Sequence, residues 1–317
     1  MPLNVLLTRR IPSSVLSRLE AAHDVEIYDG PSPIPPEELM CRIAGKQALI
    51  CLLTEKIPAE VIAASDLRVV ANIAVGYENI DLAAARARGV IVTNTPDVLT
   101  EAVAEFTWAL ILAAARRLGE GERLLRRGAW RGWTLDFLLG TQLHGKQLGV
   151  VGTGRIGRAV AAKAPAFGMI VAFAKRGQPP FPLQEKAAVP LSMDELLTSS
   201  DVITLHVPGG EATRHMIDRK SLARMKRSAI LVNTSRGSVV DEEALAWALG
   251  ERLIAAAALD VYEHEPAVQA ALLAMDNVIL APHLGSATRE TRTAMAALAV
   301  ENVLAVLSGQ PAKTPVS

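Results

Sequence analysis

The sequence predicts an α/β protein with two doubly wound parallel-sheet domains. Strand-like apolar runs alternate with helical patterns from end to end, which is typical of parallel sheets that helices cover on both faces. A glycine-rich motif, Gly152 to Gly157, follows one of these runs near the middle of the chain. The chain has 317 residues, of which 50% are hydrophobic and 21% are charged, so it can bury the cores of two domains.

Five strand-like runs in the first part of the chain predict one parallel sheet. They are Asn4–Leu7, Val25–Tyr28, Ala48–Leu53, Val69–Ala74 and Val90–Thr93. The segments Pro12–Leu19 and Pro36–Ile43 carry helix signals, and such helices can cross over from one parallel strand to the next. Residues 1–98 are therefore expected to form one doubly wound unit.

Six further runs predict a second sheet. They are Leu148–Val151, Ile170–Phe173, Val202–His206, Ala229–Asn233, Ala255–Leu259 and Val278–Ala281. An Ala-rich helix, Thr100–Arg117, is predicted between the two series, and Ala287–Leu307 is a long helical pattern after the last strand. Because no strand follows it, we expect this helix to return to the first unit. The predicted domains are residues 1–98 with 287–317, and residues 99–286.

The glycine motif predicts a dinucleotide-binding turn, because a strand, Gln147–Val151, precedes it and a helix, Arg155–Phe167, follows it. Gly152 permits the tight turn, Gly154 lets the backbone approach a pyrophosphate, and Gly157 lets the helix pack closely on the strand. The helix N-terminus offers N–H groups to the phosphates. A glycine-rich turn that serves packing alone is the alternative.

The residues after the next strand favour NADP(H) over NAD(H). A site that prefers NAD carries an acid at the end of the second strand, where it accepts a hydrogen bond from the ribose 2′-hydroxyl. Here that strand, Met169–Phe173, is followed by Ala174, Lys175 and Arg176, and the first acid is Glu185. The two cations suit a 2′-phosphate. A solvated basic turn is the alternative.

The charge balance excludes two classes of partner. Lys and Arg together number 33, as do Asp and Glu, so no overall field favours nucleic acid or an anionic membrane.

The sequence also predicts where the protein is found. No run of about 18 apolar residues predicts a membrane span, and the apolar stretch before Arg9 is too short for a signal peptide. The only cysteines, Cys41 and Cys51, are expected as reduced thiols. A cytoplasmic protein without a metal site is expected.

Polar residues follow three successive strands of the second series, at the sheet edge where ligands of open α/β sheets bind. Arg236, Glu265 and His283 come after the fourth, fifth and sixth runs. A guanidinium can hold a carboxylate by two hydrogen bonds, an imidazole can give or take a proton near neutral pH, and a carboxylate can fix the tautomer of that imidazole and favour its charged form. With a nicotinamide nearby, the set predicts hydride transfer between a hydroxyl-bearing carbon and a ketone. The alternative is a strand-capping arginine, a solvated acid and a turn histidine.

Five segments, taken in order and spacing, resemble the D-isomer-specific 2-hydroxyacid dehydrogenase family over nearly the whole chain. They are Val75–Asp81, Gly152–Gly157, Asn233–Gly237, Leu259–Pro266 and Pro282–Thr288. Within the family, the chain most resembles the glyoxylate/hydroxypyruvate reductase branch. The resemblance implies a Rossmann cofactor domain inserted into a split flavodoxin-like substrate domain. It also implies Arg236, Glu265 and His283 as the catalytic residues.

The resemblance further implies two sets of binding residues. For the substrate they are Leu53, Thr54, the backbone amides of Val75 and Gly76, Trp133, Arg236 and His283. For the cofactor they are Val75, Thr100, Gly152, Thr153, Gly154, Arg155, Ile156, Gly157, Lys175, Arg176, His206, Val207, Pro208, Thr213, Thr234, Ser235, Arg236, Asp260, His283, Gly285 and Ser286, with Asp260 near the nicotinamide. A tryptophan at the position of Trp133 reaches the partner subunit's substrate site in this branch, so a homodimer is expected.

The expected activity is the NADPH-dependent reduction of small 2-keto acids, namely glyoxylate, hydroxypyruvate or the related 2-ketogluconate, to D-2-hydroxy acids. An NAD-dependent 3-phosphoglycerate dehydrogenase is the first alternative, although Lys175 and Arg176 fit poorly with its usual cofactor. A phosphite dehydrogenase is disfavoured because that branch carries a lysine where Val75 stands. A cofactor-sensing corepressor shares the fold and the catalytic set, but the chain has neither its long tail nor a basic face.

Overall fold

The computed structural model describes residues 1–174, 182–183 and 186–316. The chain divides into two compact units, of which the first is Met1–Leu99 with Ala287–Ser317 and the second is Thr100–Ser286. Within the described ranges, no helix is long and apolar enough to cross a membrane.

The first unit contains a five-stranded sheet in which every neighbouring pair is parallel. The strands are β1 (Asn4–Leu7), β2 (Asp24–Ile27), β3 (Ala48–Cys51), β4 (Val69–Asn72) and β5 (Ile91–Thr93), and the helices between them are α1 (Ser13–Glu20), α2 (Pro36–Ile43), α3 (Ala59–Ala63) and α4 (Leu82–Ala87). The strand order is β2-β1-β3-β4-β5, which is the doubly wound order of flavodoxin-like sheets.

Helices cover both faces of this sheet because successive residues of a buried strand point to opposite sides. In β1, Val5 and Leu7 pack against α1 and the C-terminal helix, Arg289–Leu307. Leu6 points the other way, into the layer that α2 and α3 form. The C-terminal helix thus completes one face of the first unit.

The second unit contains a seven-stranded parallel sheet. Its helices and strands are α5 (Thr100–Ala115), α6 (Leu118–Arg126), β6 (Gln147–Val151), α7 (Arg155–Lys163), β7 (Ile170–Ala174), the short antiparallel pair β8 (Pro182–Leu183) and β9 (Lys186–Ala187), β10 (Val189–Leu191), α8 (Met193–Ser199), β11 (Val202–Leu205), α9 (Arg219–Arg224), β12 (Ile230–Asn233), α10 (Glu242–Gly250), β13 (Ala256–Leu259), α11 (Ala270–Leu273) and β14 (Val278–Leu280). The sheet order is β10-β7-β6-β11-β12-β13-β14, which is the Rossmann order with one further strand. The predicted fold class, two doubly wound parallel-sheet domains, is confirmed.

One strand of the second sheet, β10, is absent from the sequence-based prediction. It has only three residues and carries Pro190 at its centre, a pattern that argues against a strand. The strand pairs on one side only, with β7, so it lies at the sheet edge, where proline is tolerated.

Several predicted bounds also differ from the observed ones. The predicted helix Arg155–Phe167 changes to a 3₁₀ turn after Lys163, because Pro165 has no N–H to continue the α-helical ladder. The predicted helix that begins at Thr100 ends at Ala115, since Arg117 adopts a left-handed conformation (φ 52°). Strand β3 ends two residues before Leu53, because the N–H of Leu52 donates to a side chain instead of a neighbouring strand.

Candidate active site

The glycine turn after β6 has the shape that a bound pyrophosphate requires. Gly152 has a φ of 98°, and a Cβ there would lie 2.6 Å from the carbonyl carbon of His206. A Cβ on Gly157 would lie 2.0 Å from the carbonyl oxygen of Gly152, so both positions need glycine. A Cβ on Gly154 would instead meet no described atom within 4 Å. Gly154 is the N-cap of α7 and has no side chain to cap the helix, so the turn leaves room at the helix N-terminus for a phosphate group.

The loop after β11 carries the predicted cofactor residues His206, Val207, Pro208 and Thr213, and their side chains are uncharged. Nε2 of His206 lies 2.9 Å from Oγ1 of Thr204, and burial lowers the pKa of His206 to about 3, so its imidazole is uncharged at neutral pH. The hydroxyl of Thr213 donates to the carbonyl of Pro208 at 2.7 Å, which closes this loop. Val207 is buried and Pro208 is exposed.

Other predicted cofactor residues lie around the sheet edge of the second unit. Oγ1 of Thr234, next after β12, lies 2.9 Å from Oγ1 of Thr107 in α5. Nothing in the sequence indicates Thr107, because it lies inside a helical pattern that carries no motif. Thr100 is the first residue of α5. The two predicted 2′-phosphate ligands, Lys175 and Arg176, lie outside the described residues.

Asn233, the last residue of β12, shapes the turn that carries Arg236. Its Oδ1 accepts hydrogen bonds from the N–H and the hydroxyl of Ser235 at 3.0 and 2.9 Å, and its Nδ2 donates to the carbonyl of Arg236 at 2.9 Å. A Cβ on Gly237 would lie 1.8 Å from the carbonyl carbon of Tyr262. The turn therefore packs directly against the loop after β13, and only glycine permits this approach.

Glu265 and His283 form a hydrogen-bonded pair, with Oε2 of the carboxylate 2.9 Å from Nδ1 of the imidazole. The N–H of Tyr262 donates to the other carboxylate oxygen at 3.1 Å. Burial alone would raise the pKa of Glu265, but the hydrogen bond and charge of His283, the Tyr262 amide and the charge of Arg236 together lower it below the ordinary value. The side chains of His283 and Glu265 are 40% and 35% exposed, so a ligand can reach the pair.

The loop that carries His283 is held in an unusual conformation. His283 has a φ of 56°, a left-handed value that is uncommon outside glycine, and its N–H donates to the carbonyl of Asp260 at 2.9 Å. The Asp260 carboxylate, which is 1% exposed, accepts hydrogen bonds from the N–H groups of Leu284 and Gly285 at 2.6 and 2.8 Å. Burial raises the pKa of Asp260, while these two hydrogen bonds act in the opposite direction. Its carboxylate is thus directed at the His283 loop, and its predicted place near the nicotinamide stays a prediction.

Tyr262 connects the loops of Glu265 and His283. Its hydroxyl donates to the carbonyl of Ala281 at 2.9 Å and lies 3.3 Å from that of Leu259, while its N–H binds Glu265. Burial raises its pKa to about 12, so it remains a donor. The motif contains Tyr262, but nothing in the sequence indicates which carbonyl it reaches.

The predicted substrate residues of the first unit lie in two loops, after the neighbouring strands β3 and β4. Leu53 and Thr54 follow β3, and Val75 and Gly76 follow β4. In the second unit, Trp133 is 76% exposed, in a segment that also carries the half-exposed Trp130.

The second unit thus places Arg236, Glu265 and His283 after the carboxyl ends of β12, β13 and β14, and the glycine turn follows the carboxyl end of β6 in the same parallel sheet. The His–Glu pair can hold and move a proton, and the guanidinium can hold an anion. Such a site is typical of NAD(P)-dependent oxidoreductases that act on CH–OH groups, which is the class that the comparisons with known proteins support.

Comparison with known proteins identifies the family within this class. Residues 108–285 match the D-isomer specific 2-hydroxyacid dehydrogenase, NAD binding domain. The chain belongs to this family. It is 45% identical over 318 aligned positions to a glyoxylate reductase of Thermococcus kodakarensis, an alignment that covers 99% of this chain and 96% of that protein.

Solved structures agree with this assignment. A protein of Thermus thermophilus has a TM-score of 0.94 and 45% identity, covering 99% of this chain and 100% of that one. An NADPH-dependent glyoxylate/hydroxypyruvate reductase of Sinorhizobium meliloti, in complex with NADP and malonate, has a TM-score of 0.86 and 34% identity, covering 100% of this chain and 97% of that one.

Proposed function

We propose that the protein reduces small 2-keto acids, glyoxylate and hydroxypyruvate first among them, to D-2-hydroxy acids with NADPH. The observation that carries the proposal is the hydrogen-bonded pair of His283 and Glu265, 2.9 Å apart, at the carboxyl ends of the strands where Arg236 also lies. The glyoxylate reductases among the relatives support the substrate class.

The chain's own residues have separate tasks in this reaction. When bound, NADPH supplies the hydride. Arg236 holds the substrate carboxylate by charge-assisted hydrogen bonds, which leaves the adjacent keto carbon as the reacting centre. His283 donates a proton to the oxygen of the forming alkoxide. Glu265 accepts the Nδ1–H of His283, so the proton for transfer stands on Nε2.

The role of His283 is tested by His283→Ala. Losing a general acid lowers kcat by about 10²–10⁴-fold. NADPH binding, followed by fluorescence titration, should weaken far less than kcat falls, because the glycine turn is untouched. His144→Ala, an exposed histidine of the same unit, is the matched control. If kcat of His283→Ala equals that of the control, the assigned role is wrong.

NADPH preference rests on the sequence after β7, which has no acid before Glu185 and carries the cations Lys175 and Arg176. The NADP complex of the Sinorhizobium relative supports it. Measuring kcat/KM with both cofactors tests the preference directly. Arg176→Ala should raise KM for NADPH and leave KM for NADH nearly unchanged, whereas the control Arg68→Ala, on the surface of the first unit, changes neither. Equal or better use of NADH by the unaltered protein would refute the preference.

A panel of 2-keto acids defines the substrate range. Glyoxylate, hydroxypyruvate, 2-ketogluconate and 3-phosphohydroxypyruvate, each with saturating NADPH, separate the proposed activity from a phosphoglycerate-type dehydrogenase. We expect the highest kcat/KM with one of the first two. A preference for the phosphorylated acid would reassign the substrate.

The homodimer is part of the same proposal. Six large apolar side chains between residues 118 and 139 are 51–83% exposed: Leu118, Leu125, Trp130, Trp133, Leu135 and Leu139. Exposed apolar surface of this extent is typical of an interface. Analytical ultracentrifugation should find a dimer, and Leu135→Glu should shift it toward monomer. A monomeric unaltered protein would contradict the proposal.

A further inference from the structure

The buried carboxylate of Glu55 has no role in the reaction proposed above. It is 1% exposed and lies in the loop after β3, next to the predicted substrate residue Thr54. Its Oε2 accepts from the N–H of Leu52 at 2.5 Å and from the Thr8 hydroxyl at 3.2 Å, and its Oε1 accepts from the Thr54 hydroxyl at 3.1 Å. Burial raises the pKa of Glu55 above its ordinary value, and the three donors and the charge of Arg9 offset only part of this rise.

Two asparagines continue this network to the loop after β4. Nδ2 of Asn79 donates to the carbonyls of Leu52 and Glu55 at 3.1 and 2.8 Å. Oδ1 of Asn79 accepts from Nδ2 of Asn72 at 3.1 Å, and the same Nδ2 donates to the carbonyl of Gly76 at 2.8 Å. The two loops are therefore joined by buried and part-buried hydrogen bonds, and the Glu55 carboxylate connects to them through Leu52, whose N–H donates to it and whose carbonyl Asn79 binds.

The carbonyl contacts decide where the neighbouring amides point. The carbonyl of Val75 accepts from Asn94 at 2.8 Å, as that of Gly76 does from Asn72. In a trans peptide the C=O and the following N–H point in opposite directions, so the N–H groups of Gly76 and Tyr77 face away from these asparagines. Within the described part of the chain, neither amide donates to a protein acceptor. Two adjacent N–H groups of this kind suit a carboxylate.

We propose that Glu55 is a positioning residue for substrate binding: with Asn79 and Asn72, it holds the loops after β3 and β4 so that two amides can receive the carboxylate of the keto acid. They are the amide of Gly76, which the resemblance also implies, and that of Tyr77, which it does not. The inference rests on the proposed 2-keto acid reduction. A carboxyl group suits the position because three donors converge on its two oxygens, whereas a glutamine would turn an NH₂ group toward one of them.

Glu55→Gln tests the proposal. We expect KM for glyoxylate to rise about tenfold, as loss of one buried hydrogen bond implies, with kcat within about twofold. The dissociation constant of NADPH should change far less than KM, because the glycine turn that is expected to hold its pyrophosphate belongs to the second unit. Glu60→Gln, an exposed acid of α3, is the matched control.

Thr8→Val removes one donor to Glu55 and preserves the shape of the side chain, so it provides a milder variant if Glu55→Gln folds poorly. Its KM for glyoxylate should rise about two- to threefold. Hydrogen exchange adds a readout that needs no turnover: exchange of residues 52–55 and 75–79 should quicken in Glu55→Gln and remain unchanged in Glu60→Gln.

The outcomes separate the two proposals. If the unaltered protein reduces glyoxylate but Glu55→Gln has the KM of the control, the positioning role is overturned. Unchanged exchange in both loops overturns it as well. If the unaltered protein reduces no 2-keto acid with either cofactor, the proposed function fails, and with it the substrate-binding role that rests on it, whatever the exchange result.

Discussion

The loop that carries His283 depends on Asp260, and Asp260→Asn measures this dependence. The variant replaces one acceptor oxygen by an NH₂ group, which would face the N–H of Leu284 or Gly285, now 2.6 and 2.8 Å from the carboxylate oxygens. Losing one hydrogen bond to a charged group costs about 1.5–3 kcal/mol, and the buried unsatisfied N–H costs about 1–3 kcal/mol. Since burial raises the pKa of Asp260, removing its charge regains part of this loss. A net destabilisation of about 3 kcal/mol follows.

Thermal unfolding without cofactor converts this into a measurable shift. In a unit of this size, 1 kcal/mol changes Tm by about 2–4 °C, so Asp260→Asn should lower Tm by about 6–12 °C. Asp136→Asn, an exposed carboxylate of the same unit, should leave Tm unchanged within about 1 °C. A fall in Tm of less than about 2 °C for Asp260→Asn would refute the conclusion that its carboxylate holds the loop.

Three further predictions concern the same unit. Gly237→Ala should lower both kcat and the free energy of unfolding, because its Cβ would lie 1.8 Å from the carbonyl carbon of Tyr262; full activity with unchanged Tm would contradict the close approach. Tyr262→Phe should lower the free energy of unfolding in denaturant by only about 1 kcal/mol, because the Leu259 and Ala281 carbonyls each keep a backbone donor. A loss above about 3 kcal/mol would contradict this reasoning. Burial lowers the pKa of His206 to about 3 from 6.5 in the unfolded chain, so its stabilising contribution is present above pH 6.5 and lost as the pH falls toward 3. The free energy of unfolding should therefore fall less steeply with acid in His206→Gln than in the unaltered protein, by about 1.4 kcal/mol per pH unit below 6.5. If the difference between the urea midpoints of the two proteins is the same at about pH 5 as at about pH 7.5, this role of His206 is excluded.

The fold class follows from local patterns, because a strand buried on both faces must be apolar and its crossover helices must be amphipathic. Apolar runs placed β1 to β7 and β11 to β14 within one or two residues. The same rules missed β10, because its proline is acceptable only at a sheet edge and edge position is a property of the whole sheet. The predicted ends of strands and helices were less accurate for a similar reason. Strand β3 ends where the N–H of Leu52 donates to the Glu55 side chain, and the apolar run that predicted the strand does not show this contact.

In the site, the sequence by itself determined the residue types: a glycine turn after one strand, and an arginine, a glutamate and a histidine after three others. Only the tertiary structure decided what orients them. The Tyr262 hydroxyl on Ala281, the Asp260 carboxylate on the His283 loop, and Glu55 with Asn79 and Asn72 all join residues that are distant in the chain. Which buried donor meets which acceptor depends on register and packing, because every buried polar group must find a partner somewhere and the sequence does not say where.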